Sequence, residues 1–350
     1  MTNNPENSNV HLAVRPQWLA LRQEEILEPE LPIIDAHHHL WDKPGNQYLF
    51  QDLLADTGSG HNIQATVFME CGSMYRQSGD PMLRPVGETE FAAGVAAMSA
   101  SGQYGSSRIC AAIVGYADLQ YGHRVDEALH AHLAAAGGRL RGIRNISAWH
   151  SDPKARGSMA NPPSGLLLDK SFQEGFSRLA PHGLVFDAWM YHTQLDELAA
   201  LAALFPETTI VLNHVGGPIG IGPYADRRDE VFNTWRASIQ RLSALPNIAI
   251  KLGGFGMRLF GFGFHEDEIP APSSVLAQAW RPYIETCVEA FGPDRCMFES
   301  NFPVDKGMHG YAVAWNAFKR ATTGYSAGER SDLFHDTAAR VYRVGHDTSP

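Results

Sequence analysis

Eight short apolar runs, separated by helix-like stretches, leave few folds open to this chain. They cover residues 33–39, 65–71, 109–117, 140–146, 184–189, 209–215, 248–253 and 296–302. Short apolar runs of this kind fit strands covered on both faces of a parallel sheet. Between several of them, residues 125–136, 195–205, 227–242 and 280–291 carry apolar positions at three- and four-residue spacing, as helices with one buried stripe do. Eight strands alternating with helices predict an α/β fold closed as a (β/α)8 TIM barrel. A doubly wound open sheet is the competing architecture, and it is weakened because no G-x-G-x-x-G opens the first helix.

The 350 residues exceed the usual size of one core, but barrels of this kind run past about 250 residues as one domain. Residues 1–30 read as a polar tail and lead-in, and residues 31–345 as a single barrel. The first ten residues lack the basic and apolar regions of a signal peptide. No run of about 18 apolar residues predicts a membrane span. The net charge of −10 is scattered rather than blocked, so no basic stripe points to nucleic acid. Four separated cysteines, without a C-x-x-C pair, suit reduced thiols in a cytoplasmic protein. Two connections are long, 151–169 and 253–274. Both leave the strand ends where barrel enzymes keep their sites, which makes them candidate lids.

Polar residues interrupt the apolar strands mainly at their ends. Charged groups inside a filled barrel are costly unless paired or used. The first run ends in Asp35-Ala36-His37-His38-His39. Alternation along a strand places Asp35, His37 and His39 on one face and His38 on the other. A His-x-His pair at a strand end can hold a divalent metal or polarise a substrate oxygen. His214 closes the sixth run and brings a third imidazole to the same end. Glu70 ends the second run, and Tyr75 follows it closely enough to line the mouth. Arg144, Asp187 and Lys251 lie in the fourth, fifth and seventh runs. Arg144 and Lys251 can grip an anionic substrate or pair with Glu70 and Asp187.

The eighth run, Met297-Phe298-Glu299-Ser300-Asn301-Phe302-Pro303, is where a metallohydrolase needs a carboxylate to activate water. Asn301 stands there, on the face of Glu299 by alternation, and an amide cannot act as a general base. Glu299, about 7 Å deeper along the strand, and Asp305, in the following loop, are the two candidates to replace it. Glu299 also reads as one half of a buried ion pair with Lys251 or an arginine. No G-x-S-x-G elbow and no P-loop is present, which disfavours serine-triad and nucleotide hydrolysis.

In combination, residues 32–41, Arg141-Gly142-Ile143-Arg144, Asn213-His214-Val215-Gly216-Gly217-Pro218, Lys251-Leu252-Gly253-Gly254 and residues 297–303 resemble the amidohydrolase-related TIM-barrel metal-dependent hydrolases. The likeness is to their sugar-lactonase and 2-pyrone-4,6-dicarboxylate-lactonase branch, and residues 336–342 look like the family's closing helix. The resemblance implies hydrolysis of a lactone or similar cyclic ester. It implies that His37, His39 and His214 bind one divalent metal, Zn or Mn, or act without one, and that Arg144 lies near the substrate. The departure is Asn301, where the family motif has Asp. The expected reaction is opening of a lactone of a sugar acid or carboxylated small molecule. His37, His39 and His214 would polarise the carbonyl, Asp305 or Glu299 would activate water, and Arg144 and Lys251 would hold the anionic part, with Glu70, Tyr75 and Asp187 around the substrate. The alternatives are a metal-dependent decarboxylase of the same superfamily and a ligand-binding barrel that has lost its base. The partner expected is an anionic or polyhydroxylated small molecule, and barrels of this kind commonly associate as homo-oligomers.

Overall fold

A computed structural model describes residues 11–158 and 160–345. The polar stretch 1–10, including the expectation that it carries no signal peptide, lies outside the described residues. Eight parallel strands form one sheet in sequential order. They are β1 Ile33–His38, β2 Ile63–Met69, β3 Arg108–Gly115, β4 Leu140–Arg144, β5 Val185–Ala188, β6 Ile210–Leu212, β7 Ile248–Leu252 and β8 Cys296–Phe298. The chain beyond β8 runs parallel to the end of β1 and closes the barrel: Asn301 N–H donates to His37 O at 2.9 Å and His39 N–H to Phe302 O at 2.7 Å. The expected (β/α)8 barrel is therefore the fold.

Helices follow the strands: α1 Phe50–Thr57, α2 Val86–Ala100, α3 Val125–Ala135, α4 Lys170–Phe176, α5 Leu195–Leu204, α6 Arg228–Ser243, α7 Ser273–Phe291 and α8 Tyr311–Ala321. In α5 the buried stripe is Leu195, Leu198, Leu201 and Ala202, whereas α8 is buried on nearly every side. The helix expected from residue 280 starts earlier, at Ser273. The barrel interior is filled by Ile34, Ala36, Val67, Met69, Val114, Val211, Ala249 and Met297. A closing helix α9, Thr337–Tyr342, contributes Ala338 and Tyr342 to that cluster from the opposite end to the site.

The lead-in packs on the barrel. Trp18 is buried and its indole N–H donates to Asp267 O at 2.9 Å. The buried Lys319 ammonium of α8 donates to Leu27 O at 2.7 Å and Glu28 O at 2.8 Å.

The structure corrects the facing of β1. Asp35 lies opposite Thr66 but His38 lies opposite Phe68, so β1 carries one extra residue between these pairs. This is a bulge, and it reverses the side-chain parity beyond it. Asp35 consequently faces the helix layer, accepting from Tyr311 OH at 3.0 Å and Ser300 Oγ at 2.6 Å. His37 and His39 face the barrel mouth instead, while His38 turns outward to Thr66 Oγ1 at 2.8 Å.

Candidate active site

Glu299 is the centre of the cluster. Its Oε1 lies 2.7 Å from His214 Nδ1 and its Oε2 lies 2.8 Å from His37 Nδ1. The second contact is of ion-pair length but poorly aligned as a hydrogen bond. Glu299 also accepts the backbone N–H of His214 at 3.1 Å. The ion pair expected with Lys251 or an arginine is replaced by these two imidazoles. The approach depends on glycine. A Cβ on Gly253 would stand 2.4 Å from Glu299 Cγ, and one on Gly254, whose φ is +72°, would stand 2.7 Å from the His214 ring. The glycine-rich start of the loop after β7, read from sequence only as a lid, is what lets the backbone pass this close.

His39 Nδ1 faces Met69 O at 2.9 Å. The Met69 carbonyl opposite His39 Nδ1 places the proton of that ring on Nδ1 and leaves its Nε2 as a lone pair, and the Glu299 carboxylate at ion-pair length from His37 Nδ1 favours the same tautomer in His37. The two Nε2 atoms lie 3.2 Å apart. Two lone pairs that close repel, and a cation between them removes the conflict. The separation also matches the bite of two imidazoles on a tetrahedral ion at about 2.0–2.1 Å. His37, His214 and Glu299 additionally offer ligand atoms within 4.8 Å of one another. The donor set therefore fits a divalent ion. The rings are suited to it because all three are held neutral. Burial pushes His37 and His39 well below the ordinary imidazole range, with Lys251 adding to the effect on His37 and Arg144 to that on His39. Burial lowers His214 too, against the opposing pull of Glu299.

Arg144 is buried beside this pair. Its Nε donates to Glu70 Oε1 at 2.6 Å and its Nη2 to Glu70 O. This leaves Nη1 pointing at His37 Nε2 from 3.5 Å. Pairing with Glu70 and exposure of one N–H edge to the mouth therefore hold together. Tyr75 is partly buried near Glu70, and its hydroxyl is pushed up by burial and by the Glu70 charge.

Lys251 and Asp187 form a separate unit. Lys251 Nζ lies 2.7 Å from Asp187 Oδ1 with both side chains fully buried. Asp187 also accepts from Asn213 Nδ2 at 2.8 Å and from Tyr342 OH at 2.9 and 3.0 Å. The pairing alternative is the one the structure adopts for both residues.

Asn301 and Asp305 are bound to each other, with Asn301 Nδ2 donating to Asp305 Oδ1 at 2.7 Å. Asp305 Oδ2 accepts the Gly256 N–H at 2.8 Å. Asn301 has a left-handed φ of 54°, so strand alternation fails there and its amide turns to Asp305 rather than joining Glu299 at the histidines. Burial pushes the Asp305 carboxyl well above the usual range. A carboxyl whose two oxygens are both engaged, by Asn301 and by the Gly256 N–H, is poorly placed to take a proton from water.

Some contributors left little mark in the sequence. Met69 acts through a backbone carbonyl, and Trp189 packs edge-on against His214 at 4.8 Å. Trp41 belongs to a hairpin, Trp41–Lys43 with Asn46–Tyr48, that directly follows β1. Its ring stacks on His39 at 5.9 Å and 22°. Two aromatic residues so near the end of a predicted strand were the available signal.

A family profile described as amidohydrolase matches residues 34–344. An uncharacterised protein, y4mH, of Sinorhizobium fredii is 35% identical over 337 residues, covering 90% of this chain and 99% of its own. An L-fucono-1,5-lactonase of Burkholderia multivorans is 31% identical over 242 residues, covering 67% of this chain and 72% of its own. A crystal structure of an amidohydrolase from Burkholderia multivorans with bound zinc superposes with a TM-score of 0.67 at 25% identity, covering 89% of this chain and 99% of the other. With the profile spanning the whole barrel, the chain belongs to the amidohydrolase family.

Proposed function

We propose that this amidohydrolase opens the ring of a sugar lactone or related cyclic ester by hydrolysis. One observation carries the reading: two imidazole Nε2 atoms converge 3.2 Å apart, beside an arginine N–H edge, at the end of the barrel where such enzymes work. The relative named as an L-fucono-1,5-lactonase supports the substrate class. His37 and His39 would hold a divalent ion, Zn or Mn, and when bound it supplies Lewis-acid polarisation of a carbonyl.

The rest falls to this chain's own side chains. Arg144 Nη1 donates to the lactone's carbonyl or carboxylate oxygen and offsets the charge that grows there. His214, with its Nδ1 proton held by Glu299 Oε1, takes a proton from water at Nε2 as the water oxygen attacks the carbonyl carbon. Glu299 stabilises the imidazolium that forms. Collapse of the tetrahedral adduct breaks the bond to the ring oxygen, which takes the proton back from His214. The product is the open hydroxy acid. Glu299 therefore acts through His214, and Asp305 positions Asn301. Lys251, paired with Asp187, adds to burial in holding His37 and His214 neutral. All four cysteines are free, which fits the cytoplasm, the location we propose.

The test is ring opening of a panel of five- and six-carbon aldonolactones, followed by proton release, before and after treatment with chelator. Turnover of at least one lactone is expected, with His214→Ala lowering kcat by about 10²–10⁴. A folded wild-type protein that opens none of them contradicts the reading.

A further inference from the structure

Arg144 ends β4, and the residue that aims it, Glu70, follows β2, with β3 between them. Arg144 Nε donates to Glu70 Oε1 at 2.6 Å and Nη2 donates to the Glu70 main-chain oxygen. Two of the three guanidinium nitrogens are therefore set by where residue 70 stands, backbone included. The third, Nη1, faces His37 Nε2 from 3.5 Å. Because the guanidinium is planar and rigid, a shift of the chain at residue 70 becomes a shift of the N–H edge at the mouth.

That chain is held from outside the barrel. Glu88, in the first turn of α2, is buried. Its Oε1 accepts the backbone N–H of Cys71 at 3.0 Å and of Ser73 at 2.9 Å, with Cys71 Sγ at 3.3 Å. Its Oε2 is buried with no hydrogen-bond partner among the described residues, so Glu88 acts on the loop through Oε1. The helix also presses on the loop directly. A Cβ on Gly87 would stand 2.5 Å from Met74 O, and Met74 is held at a left-handed φ of 56°. The next residue, Thr89, secures the neighbouring strand end. Its Oγ1 meets His132 Nδ1 at 2.8 Å, and His132 Nε2 meets Tyr116 O, just beyond β3, at 2.9 Å. The Glu70 N–H in turn donates to Val114 O of β3 at 2.9 Å.

We infer that Glu88 is a positioning residue for Arg144: by fixing the backbone after Glu70, it sets the N–H edge that meets the substrate oxygen. For its effect on turnover the inference rests on the lactone-hydrolase reading, so it is tested with and without a substrate.

Burial and the Glu70 charge raise the Glu88 pKa to about 8, so at neutral pH glutamine copies its uncharged carboxyl. Methionine fills similar space and offers no oxygen to the two N–H groups. Arg144→Lys keeps the charge beside Glu70 but lacks the forked edge, and should lose about 10²-fold in kcat for lactone opening. Glu88→Met should lose about ten-fold, because the edge is misplaced rather than absent. Glu88→Gln should restore the wild-type rate. On top of Arg144→Lys, Glu88→Met should cost nothing further, since both act through the same edge. An equal loss in the Gln and Met variants, or the full loss repeated in the double variant, overturns the inference. Glu88→Ala is run beside Glu88→Met throughout, so the comparison does not depend on how methionine packs.

The second test needs no turnover. It follows the Arg144 Nε–H signal in nitrogen-15 spectra, identified by its loss in Arg144→Lys. In Glu88→Met the signal should move and its hydrogen exchange should quicken about ten-fold, whereas Glu88→Gln should keep it in place. An Arg144 signal unchanged in Glu88→Met overturns the positioning whether or not the protein opens lactones. Failure of wild type on every lactone, with the signal moving as described, counts against the lactonase reading alone.

Discussion

Two buried charge networks occupy the same barrel, one around Asp187 and one around Glu299. In the first, the Asp187 carboxylate is saturated by Lys251, Asn213 and Tyr342. Tyr342 comes from the closing helix, so this network ties the end of the chain to the barrel wall. In the second, Glu299 is bound through Oε1 to the His214 ring and backbone, and its Oε2 lies at ion-pair distance from His37. Yet the outer nitrogen of His37, the ring beside it, faces that of His39 next to an arginine edge. A saturated carboxylate with no open partner supports a structure. One that aims the nitrogens of neighbouring rings at a shared point prepares a ligand site.

Breaking the open network should cost activity first. His39→Ala removes one of the two converging lone pairs. Divalent-ion content, measured by mass spectrometry on the purified protein, should fall to a small fraction of wild type, and kcat/KM for lactone opening should fall about 10³-fold. Full metal content and full activity in this variant would show that the converging pair is not the site.

Breaking the saturated network should cost stability first. Lys251→Met leaves Asp187 charged and without its cation, for an expected loss of about 3–5 kcal/mol in urea unfolding. Adding Asp187→Asn should recover a large part of it, because the uncompensated charge is gone. Additive losses would mean that the pair is not coupled.

The smallest effect belongs to Glu88, on α2. Its Oε1 accepts the backbone N–H groups of Cys71 at 3.0 Å and Ser73 at 2.9 Å, which seats the loop after Glu70. Burial, helped by the Glu70 charge, raises its pKa to about 8. Between pH 4.5 and 8 the folded state then binds more protons at this group than the unfolded state, so stability falls as pH rises through that window. Glu88→Gln removes the dependence. Its Tm should decline less between pH 5 and 8 than that of wild type, with the two proteins most alike at the acid end. Parallel profiles would show that Glu88 does not titrate in that window.

The histidines of the site were legible because each ends an apolar run, and strand ends at one face of a barrel converge. The eight strands were legible for the same reason. The bulge in β1 was not. One extra residue between Asp35 and His38 leaves no mark in a period-two pattern, yet it separates Asp35 from His37 and His39. Asn301 broke the alternation again, through a left-handed backbone that side-chain pattern does not encode. Contacts between distant segments were also hidden: Tyr342 reaches Asp187 across 155 positions of sequence, and Met69 acts through its main chain. Gly253 and Gly254 were visible as loop glycines, but the side chains that make glycine necessary there came only with the fold.

The most direct test compares one carboxylate from each network. Glu299→Gln and Asp187→Asn should be measured side by side for lactone opening per folded molecule and for unfolding free energy. Glu299→Gln is expected to lose about 10³-fold or more in kcat while remaining folded, and Asp187→Asn to lose stability with kcat reduced far less. Full activity in Glu299→Gln, or collapse of kcat in a stably folded Asp187→Asn, would contradict the account.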